Sequence, residues 1–193
     1  MTTLVLGPVR SGKTSRALAL ALASGKRVVV AATAAVDPSD PEMVDRIARH
    51  RRERPADWLV VETASAGAPS LPTLVREASA DVCVLVDALG TWLSAELLAL
   101  GMEVERDAVA ALDALDARGA ALVDALAVSA ADVIIVAEET GWGIVPATPI
   151  GRLFRDAQGR LVRALAARAE RVELVVAGYA LDLRALGRPV EQS

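Results

Sequence analysis

The feature that most constrains the fold is a glycine-rich octapeptide directly after an apolar run near the start of the chain. Residues 7–14 match G-x-x-x-x-G-K-[ST] in full, and residues 3–6 (Thr-Leu-Val-Leu) before them indicate a buried strand. A helix is expected to open at Thr14 and run to about residue 23. Loop amides and a helix dipole placed in this way converge on phosphate oxygens. The octapeptide therefore predicts a site for the phosphates of ATP or GTP.

Each residue type in the octapeptide has an expected role. Lys13 should reach the β- and γ-phosphates, and the Thr14 hydroxyl should coordinate Mg²⁺. Pro8 has no N–H, so the main donors should come from later loop positions. The predicted nucleotide ligands of this loop are Gly7, Pro8, Val9, Arg10, Ser11, Gly12, Lys13 and Thr14.

Apolar runs alternate with helical segments along the rest of the chain. Strands are expected at 27–32, 58–62, 82–87, 132–137 and a final one at 171–177. Helices are expected at about 42–52, 70–78, 91–100, 105–129 and 149–169. Continuous apolar strands separated by helices imply a mostly parallel sheet covered on both faces. The predicted fold is a three-layer α/β P-loop NTPase fold of the RecA-like type.

Length and charge exclude several other classes of protein. The 193 residues fit one nucleotide-binding domain, expected at 1–186, with 187–193 as a flexible tail. The net charge of -4 gives no basic excess for a nucleic-acid backbone. The sequence offers no signal peptide and no apolar run of the length that spans a bilayer, so a cytoplasmic protein is expected. Cys83 lies in an apolar run and is expected to be buried.

A magnesium site beside the loop needs a further acid. Asp87 ends the apolar strand 82–87, where a Walker-B carboxylate is expected. Taken alone, Asp87 fits an ordinary strand-end acid equally well, and the loop favours the metal role. Glu138 and Glu139 end another strand and are rival candidates.

The lone histidine, His50, lies near the end of a helix rich in arginine. One interpretation is a solvated basic helix end, where cations favour the C-terminal dipole. The other is a nucleophile that attacks phosphorus, because neighbouring arginines lower an imidazole pKa and contact phosphates. Sequence spacing leaves both open. The surrounding arginines are Arg46, Arg49, Arg51, Arg52 and Arg54.

Several separated blocks resemble one family, the bifunctional adenosylcobinamide kinase/adenosylcobinamide-phosphate guanylyltransferases of cobalamin biosynthesis. The resemblance extends from Leu4 to about Leu183. The blocks comprise the octapeptide with its Arg-Ser before Gly-Lys; Ala32-Thr33; Glu42-Met43, Arg46-Ile47, His50, Arg54-Pro55, Trp58 and Glu62; 84–94; 139–146; and Arg152, 154–156 and Gly159-Arg160.

The resemblance implies two reactions on one substrate. The γ-phosphoryl group of a nucleoside triphosphate goes to a hydroxyl of adenosylcobinamide, and GTP then donates GMP to the resulting phosphate. The family passes GMP through a covalent histidine adduct, and His50 occupies that position. A homotrimer is the state the family implies. The resemblance also adds nucleotide-binding positions: Ala32, Thr33, Ala34, Arg51, Arg54, Glu62 for guanine or ribose, and Asp87 for Mg²⁺.

Departures from the family pattern keep two alternatives open. The family usually has Asn where this chain has Glu138, and often Asn after the block 84–94, where Ala95 stands. It often has Asn-Gln where this chain has Val162 and Arg163. These positions concern the corrinoid acceptor or one of the two activities. A kinase without guanylyl transfer and a non-catalytic nucleotide-binding module are the alternatives.

Overall fold

A computed structural model describes residues 1–34, 45, 51–52, 54–101 and 106–190 of the chain. The strands are β1 (Thr2–Gly7), β2 (Arg27–Ala32), β3 (Leu59–Glu62), β4 (Val82–Asp87), β5 (Asp132–Glu138), β6 (Arg171–Val176) and β7 (Tyr179–Asp182). The helices are α1 (Lys13–Ala23), α2 (Leu71–Glu77), α3 (Leu89–Ala99), α4 (Ala108–Val128), α5 (Pro149–Arg168) and α6 (Leu183–Leu186).

The sheet has the order β3-β2-β4-β5-β1-β6-β7. Strands β1 to β6 pair in parallel, and β7 is antiparallel to β6. The prediction of a mostly parallel three-layer fold is therefore confirmed. Strand β5 lies between β1 and β4, the order of the RecA-like class of P-loop folds. Because parallel strands end at the same edge, the segments after β1, β2, β4 and β5 meet there.

Helices cover both faces of the sheet. Helix α1 packs on one face, against Val5, Val30 and Leu85 among others. Helices α2 to α5 pack on the other face, against alternate residues such as Leu4 and Ile135. Ala, Val, Leu and Ile make up nearly all of this interior. None of the helices in the described ranges combines the length and apolar character that crossing a bilayer requires.

Cys83 is buried on β4 among the residues packed against α1, as predicted. Burial in these apolar surroundings raises the pKa of its thiol. The thiol is therefore a core side chain rather than a nucleophile.

The end of the chain differs from the prediction. Residues 171–177 were expected to form the final strand, but β6 ends at Val176 and the chain reverses through Ala177 and Gly178. Both turn residues have positive φ, of 51° and 82°. Strand β7 and α6 follow before residue 187. The hairpin was missed because the glycine marks the turn but the short strand after it alternates only weakly in polarity.

Candidate active site

The phosphate loop joins β1 to α1 in a conformation that needs its glycines. Gly12 has a φ of 97°, in the left-handed region that favours glycine. Arg10 also has a positive φ, of 57°. A β-carbon on Gly7 would lie 2.4 Å from the carbonyl oxygen of Val175 and 2.5 Å from Ser11 Oγ. The loop is thus folded tightly against β6, which fixes the direction of its amides.

Lys13 is the first residue of α1 and is 9% exposed. Its Nζ donates to the carbonyl oxygen of Pro8 over 3.2 Å, and its backbone N–H donates to Ser11 Oγ over 3.3 Å. The ammonium therefore lies across the loop that it closes. Thr14 follows on the first turn of α1. The predicted octapeptide is thus assembled as one unit at the carboxyl end of β1.

The turn between β6 and β7 supports this loop from one side. The Gly178 N–H donates to the carbonyl oxygen of Ser11 over 2.9 Å. A β-carbon on Gly12 would lie 3.6 Å from Gly178 Cα. The hairpin that the sequence did not predict therefore contributes directly to the shape of the site.

Strand β5 supports the loop from the other side. Gly7 lies opposite Glu138 in the β1–β5 ladder, and its carbonyl oxygen accepts a hydrogen bond from the Glu139 N–H over 3.1 Å. The Glu138 carboxylate accepts from the Gly90 N–H at the start of α3 over 3.1 Å. Glu139 Oε1 accepts from the Gly141 N–H over 2.9 Å. Each rival acid thus supports a local turn or helix start.

Asp87 ends β4 at the same edge, and its carboxylate is paired with a buried arginine. Arg54 Nη2 lies 2.5 Å from Asp87 Oδ2, and the two side chains are 8% and 3% exposed. Because both side chains are buried, water competes little with this charge-assisted contact. Two residues that were predicted separately, one for nucleotide and one for metal, are thus in direct contact. Sequence spacing gave no sign of the pair.

A second ion pair links the same segment to β3. Arg51 Nη2 lies 2.7 Å from Glu62 Oε1. Both side chains are well exposed, so water weakens the attraction. Both side chains are accordingly accessible to a ligand. Arg51 and Arg54 thus contact Glu62 and Asp87, the two acids that the resemblance assigns to the nucleotide site.

Ala32 is the last residue of β2 at this edge, and Thr33 and Ala34 follow it. Thr33 is buried, and its Oγ1 donates to the carbonyl oxygen of Ala88 over 2.6 Å. The same oxygen lies 2.5 Å from Thr91 Oγ1. The Thr33 hydroxyl therefore connects the end of β2 to the start of α3, beyond Asp87.

His50 lies outside the described residues, together with most of the predicted helix at 42–52. Arg51 and Arg52, which follow it, are described as helical. Within the described ranges, no three His, Cys, Asp or Glu side chains are grouped as a protein-only metal site would require. The donors that could hold Mg²⁺ are the Thr14 hydroxyl and the Asp87 carboxylate. Hard oxygen ligands of this kind suit Mg²⁺, which keeps several waters and binds substrate phosphates.

A buried acid that the sequence did not single out anchors α1 on the side away from Asp87. The Glu173 carboxylate accepts two hydrogen bonds from Arg16, of 2.7 Å and 2.8 Å, and also pairs with Arg171. Glu173 is almost completely buried. The hydrogen bonds from Arg16 hold the pKa of Glu173 below its usual value. A glutamate within the otherwise apolar residues 172–176 was the available signal.

Comparison with known proteins identifies the family. Residues 3–183 match the family described as cobinamide kinase / cobinamide phosphate guanyltransferase. The chain belongs to this family. It is therefore a transferase of adenosylcobalamin biosynthesis, and the resemblance stated from the sequence blocks is confirmed.

Characterised relatives match over their whole length. The bifunctional adenosylcobalamin biosynthesis protein CobP of Pseudomonas aeruginosa is 40% identical over 190 residues, covering 98% of this chain and 100% of the relative. The proteins named CobU from Salmonella typhimurium and Escherichia coli are 35% and 34% identical, each covering 95% of this chain and 100% of the relative. The RadB recombinase structure is more distant, with a TM-score of 0.46 and 18% identity over 90% of this chain and 73% of that one.

Proposed function

We propose that this chain carries out both transfers of its family at the edge formed by the phosphate loop and Asp87. The first moves the γ-phosphoryl group of a nucleoside triphosphate to a hydroxyl of adenosylcobinamide. The second moves GMP from GTP to the phosphate so formed and releases pyrophosphate. We place His50 as the nucleophile that carries GMP between the two partners. Such an enzyme would use cytoplasmic nucleotides.

The observation that carries the proposal is the contact between Arg54 and Asp87. Arg54 follows His50 by four residues, and its guanidinium lies on the carboxylate predicted to serve the metal. Because Arg54 is held at this edge, we infer that His50 can reach a nucleotide bound at the phosphate loop. An arrangement of this kind suits one nucleotide being cut at either its γ- or its α-phosphorus.

Each charged group then has a role in the first transfer. Loop amides and Lys13 spread the charge that develops on the phosphate oxygens, and Lys13 moves from the Pro8 carbonyl oxygen to the phosphates. Thr14 and Asp87 would hold Mg²⁺. A metal held there would supply positive charge that offsets the charge of the phosphates. Arg54, released in part from Asp87, would donate to phosphate oxygens in a bidentate manner.

The second transfer uses His50 twice. A neutral imidazole nitrogen attacks the α-phosphorus of GTP, the N–P bond forms and the bond to the pyrophosphate oxygen breaks. The corrinoid phosphate oxygen then attacks the same phosphorus and breaks the N–P bond, which regenerates the histidine. The ion pair between Arg51 and Glu62 is exposed, so a guanine base or a ribose could take the place of either partner.

Labelled nucleotides test the two transfers separately. Incubation with α-labelled GTP should leave acid-labile, base-stable label on the wild-type protein and none on His50→Ala. Arg52→Ala, two residues further along the chain, is the matched control and should keep the label. His50→Ala should still transfer the γ-phosphoryl group to cobinamide. Absence of label on the wild type would contradict guanylyl transfer and favour the kinase-only alternative.

The family resemblance also implies the assembly. We propose a homotrimer, because closed cyclic arrangements satisfy identical interfaces. Sedimentation equilibrium should give a mass of about 60 kDa, three times the 20.1 kDa chain. A mass of one chain at micromolar concentration would contradict it.

A further inference from the structure

The connection between β5 and α5, residues 139–148, exposes large apolar side chains next to the phosphate loop. Ile144 is 97% exposed, Trp142 63% and Val145 59%. Single exposed apolar residues are ordinary on a protein surface. Three of them within four residues concentrate exposed apolar surface in one loop, and exposed apolar patches mark binding sites. We refer to residues 139–148 as the 139–148 loop.

Hydrogen bonds fix this loop at both ends. Its first residue, Glu139, donates its N–H to the carbonyl oxygen of Gly7 over 3.1 Å. At its other end, Arg152 Nη1 donates to the carbonyl oxygens of Pro146 and Ala147 over 3.0 Å and 2.9 Å. A β-carbon on Gly151 would lie 2.9 Å from Pro146 Cβ, so α5 packs closely on the loop. The two ends of the loop are thus fixed, while its apolar side chains remain exposed.

The position of the 139–148 loop limits which molecules could bind on it. Gly7, which begins the phosphate loop, accepts the hydrogen bond that starts the 139–148 loop, so the two leave the sheet side by side. A molecule lying on Trp142 and Ile144 would therefore be a neighbour of a bound triphosphate. The second substrate of a phosphoryl transfer must occupy that neighbourhood.

We propose that the 139–148 loop binds the corrinoid acceptor, with Trp142 and Ile144 lying against the apolar face of the macrocycle. This inference rests on the proposed function, because the family makes a cobinamide the acceptor. A corrin ring is broad, flat and largely hydrocarbon on its faces, which suits an indole and branched aliphatic side chains. Its peripheral amides would remain available to water and to polar groups at the rim.

Substitutions in the loop should act on one substrate only. Trp142→Ala and Ile144→Ser should each raise the KM for cobinamide in γ-phosphoryl transfer by about tenfold, the equivalent of one lost apolar contact. The KM for the nucleoside triphosphate should stay within about twofold of wild type. Val109→Ser is the matched control, since Val109 is 72% exposed at the start of α4 and lies outside the loop. An unchanged KM for cobinamide in both loop variants would overturn the proposal.

Fluorescence gives a readout that needs no turnover. Cobinamide absorbs where tryptophan emits, and this quenching is strongest for the indole nearest to it. Titration should therefore quench Trp142 more than the other two tryptophans, and Trp142→Phe should lose the largest share of the quenching. Trp92 is buried and Trp58 is partly buried, which makes Trp142 the accessible indole. Quenching that is equal in wild type and Trp142→Phe would contradict the proposal.

Two further outcomes separate this inference from its alternatives. If Trp142→Ala lowers the mass in sedimentation equilibrium and leaves the KM for cobinamide unchanged, the loop contacts a second copy of the chain and the proposal is wrong. If the wild type takes no label from α-labelled GTP but Trp142 is quenched by cobinamide, guanylyl transfer fails and the acceptor site stands.

Discussion

At the scale of single residues, Gly7 decides whether the phosphate loop can form. Replacement by alanine would press a β-carbon to 2.4 Å from the Val175 carbonyl oxygen, which belongs to backbone and cannot turn aside. The loop must shift, and its backbone N–H groups then no longer point toward the phosphates. We expect Gly7→Ala to weaken nucleotide binding by at least tenfold, as measured by calorimetric titration with a non-hydrolysable GTP analogue.

Gly159→Ala is the control for this substitution. Gly159 lies exposed within α5, and a β-carbon there meets nothing within 4 Å. Alanine in an exposed helix position is favoured over glycine by about 1 kcal/mol. Nucleotide affinity should stay at the wild-type value with slightly higher stability. Equal affinities for the Gly7 and Gly159 variants would show that the loop tolerates the shift.

Three acids compete for the metal role, and the structure separates them by their contacts. Glu138 and Glu139 support the start of α3 and the Gly141 turn, whereas the Asp87 carboxylate faces the guanidinium of Arg54 at the edge beside the phosphate loop. With Mn²⁺ as a spectroscopic probe and a GTP analogue present, Asp87→Asn should weaken metal binding by at least tenfold. Glu138→Gln and Glu139→Gln should bind Mn²⁺ nearly as wild type in electron paramagnetic resonance. A larger loss of Mn²⁺ affinity for Glu138→Gln than for Asp87→Asn would indicate that the metal ligand lies on β5.

At the scale of elements, the pair between Arg16 and Glu173 fixes α1 to β6. Glu173→Gln removes the charge that two arginines share, and Arg16 is about a third exposed, so hydration recovers part of the loss. We expect the free energy of unfolding in urea to fall by about 2–3 kcal/mol. The exposed pair of Arg160 and Asp116 joins α5 to α4, and Asp116→Asn should cost less than about 1 kcal/mol.

The same pair gives a pH dependence with a fixed sign. Because hydrogen bonds from Arg16 lower the pKa of Glu173 in the folded state, folding favours its ionised form. Its contribution is complete above the ordinary glutamate pKa of about 4.3 and is lost as the pH falls through the lower folded value. The stability difference between wild type and Glu173→Gln should therefore be constant near neutrality and shrink toward acid. A difference that grows on acidification would contradict this assignment.

Comparison of elements shows what sequence patterns can and cannot predict. Strands at 27–32 and 82–87 were predicted at their true bounds, because continuous apolar runs ended by polar residues identify buried parallel strands. Strand β7 was missed, since four residues on a sheet edge carry little periodicity. The contact between Arg54 and Asp87 was also missed. It joins residues that are 33 positions apart, and a contact over that separation depends on the tertiary fold.

At the scale of the molecule, the phosphate loop and Asp87 are both positioned by one continuous sheet. The phosphate loop rests on β6 through Gly178 and on β5 through Glu139, while Asp87 comes from β4. Local loss of any one strand would therefore disturb the nucleotide contacts of the others. We therefore predict that residues 1–186, which the length predicts to be one domain, unfold as a single unit and that nucleotide binding stabilises this unit as a whole.

Calorimetry tests that coupling. Scanning should show one transition for the wild type, and a GTP analogue with Mg²⁺ at a hundred times its Kd should add about 2.7 kcal/mol, or roughly 5–10 °C in Tm for a domain of this size. Lys13→Ala should lose most of this shift, because the loop then lacks its cation. Removal of Mg²⁺ with EDTA should reduce the shift in wild type and leave little further change in Asp87→Asn. Two separate transitions, with only one moved by nucleotide, would contradict a single domain and confine the ligand's effect to part of the sheet.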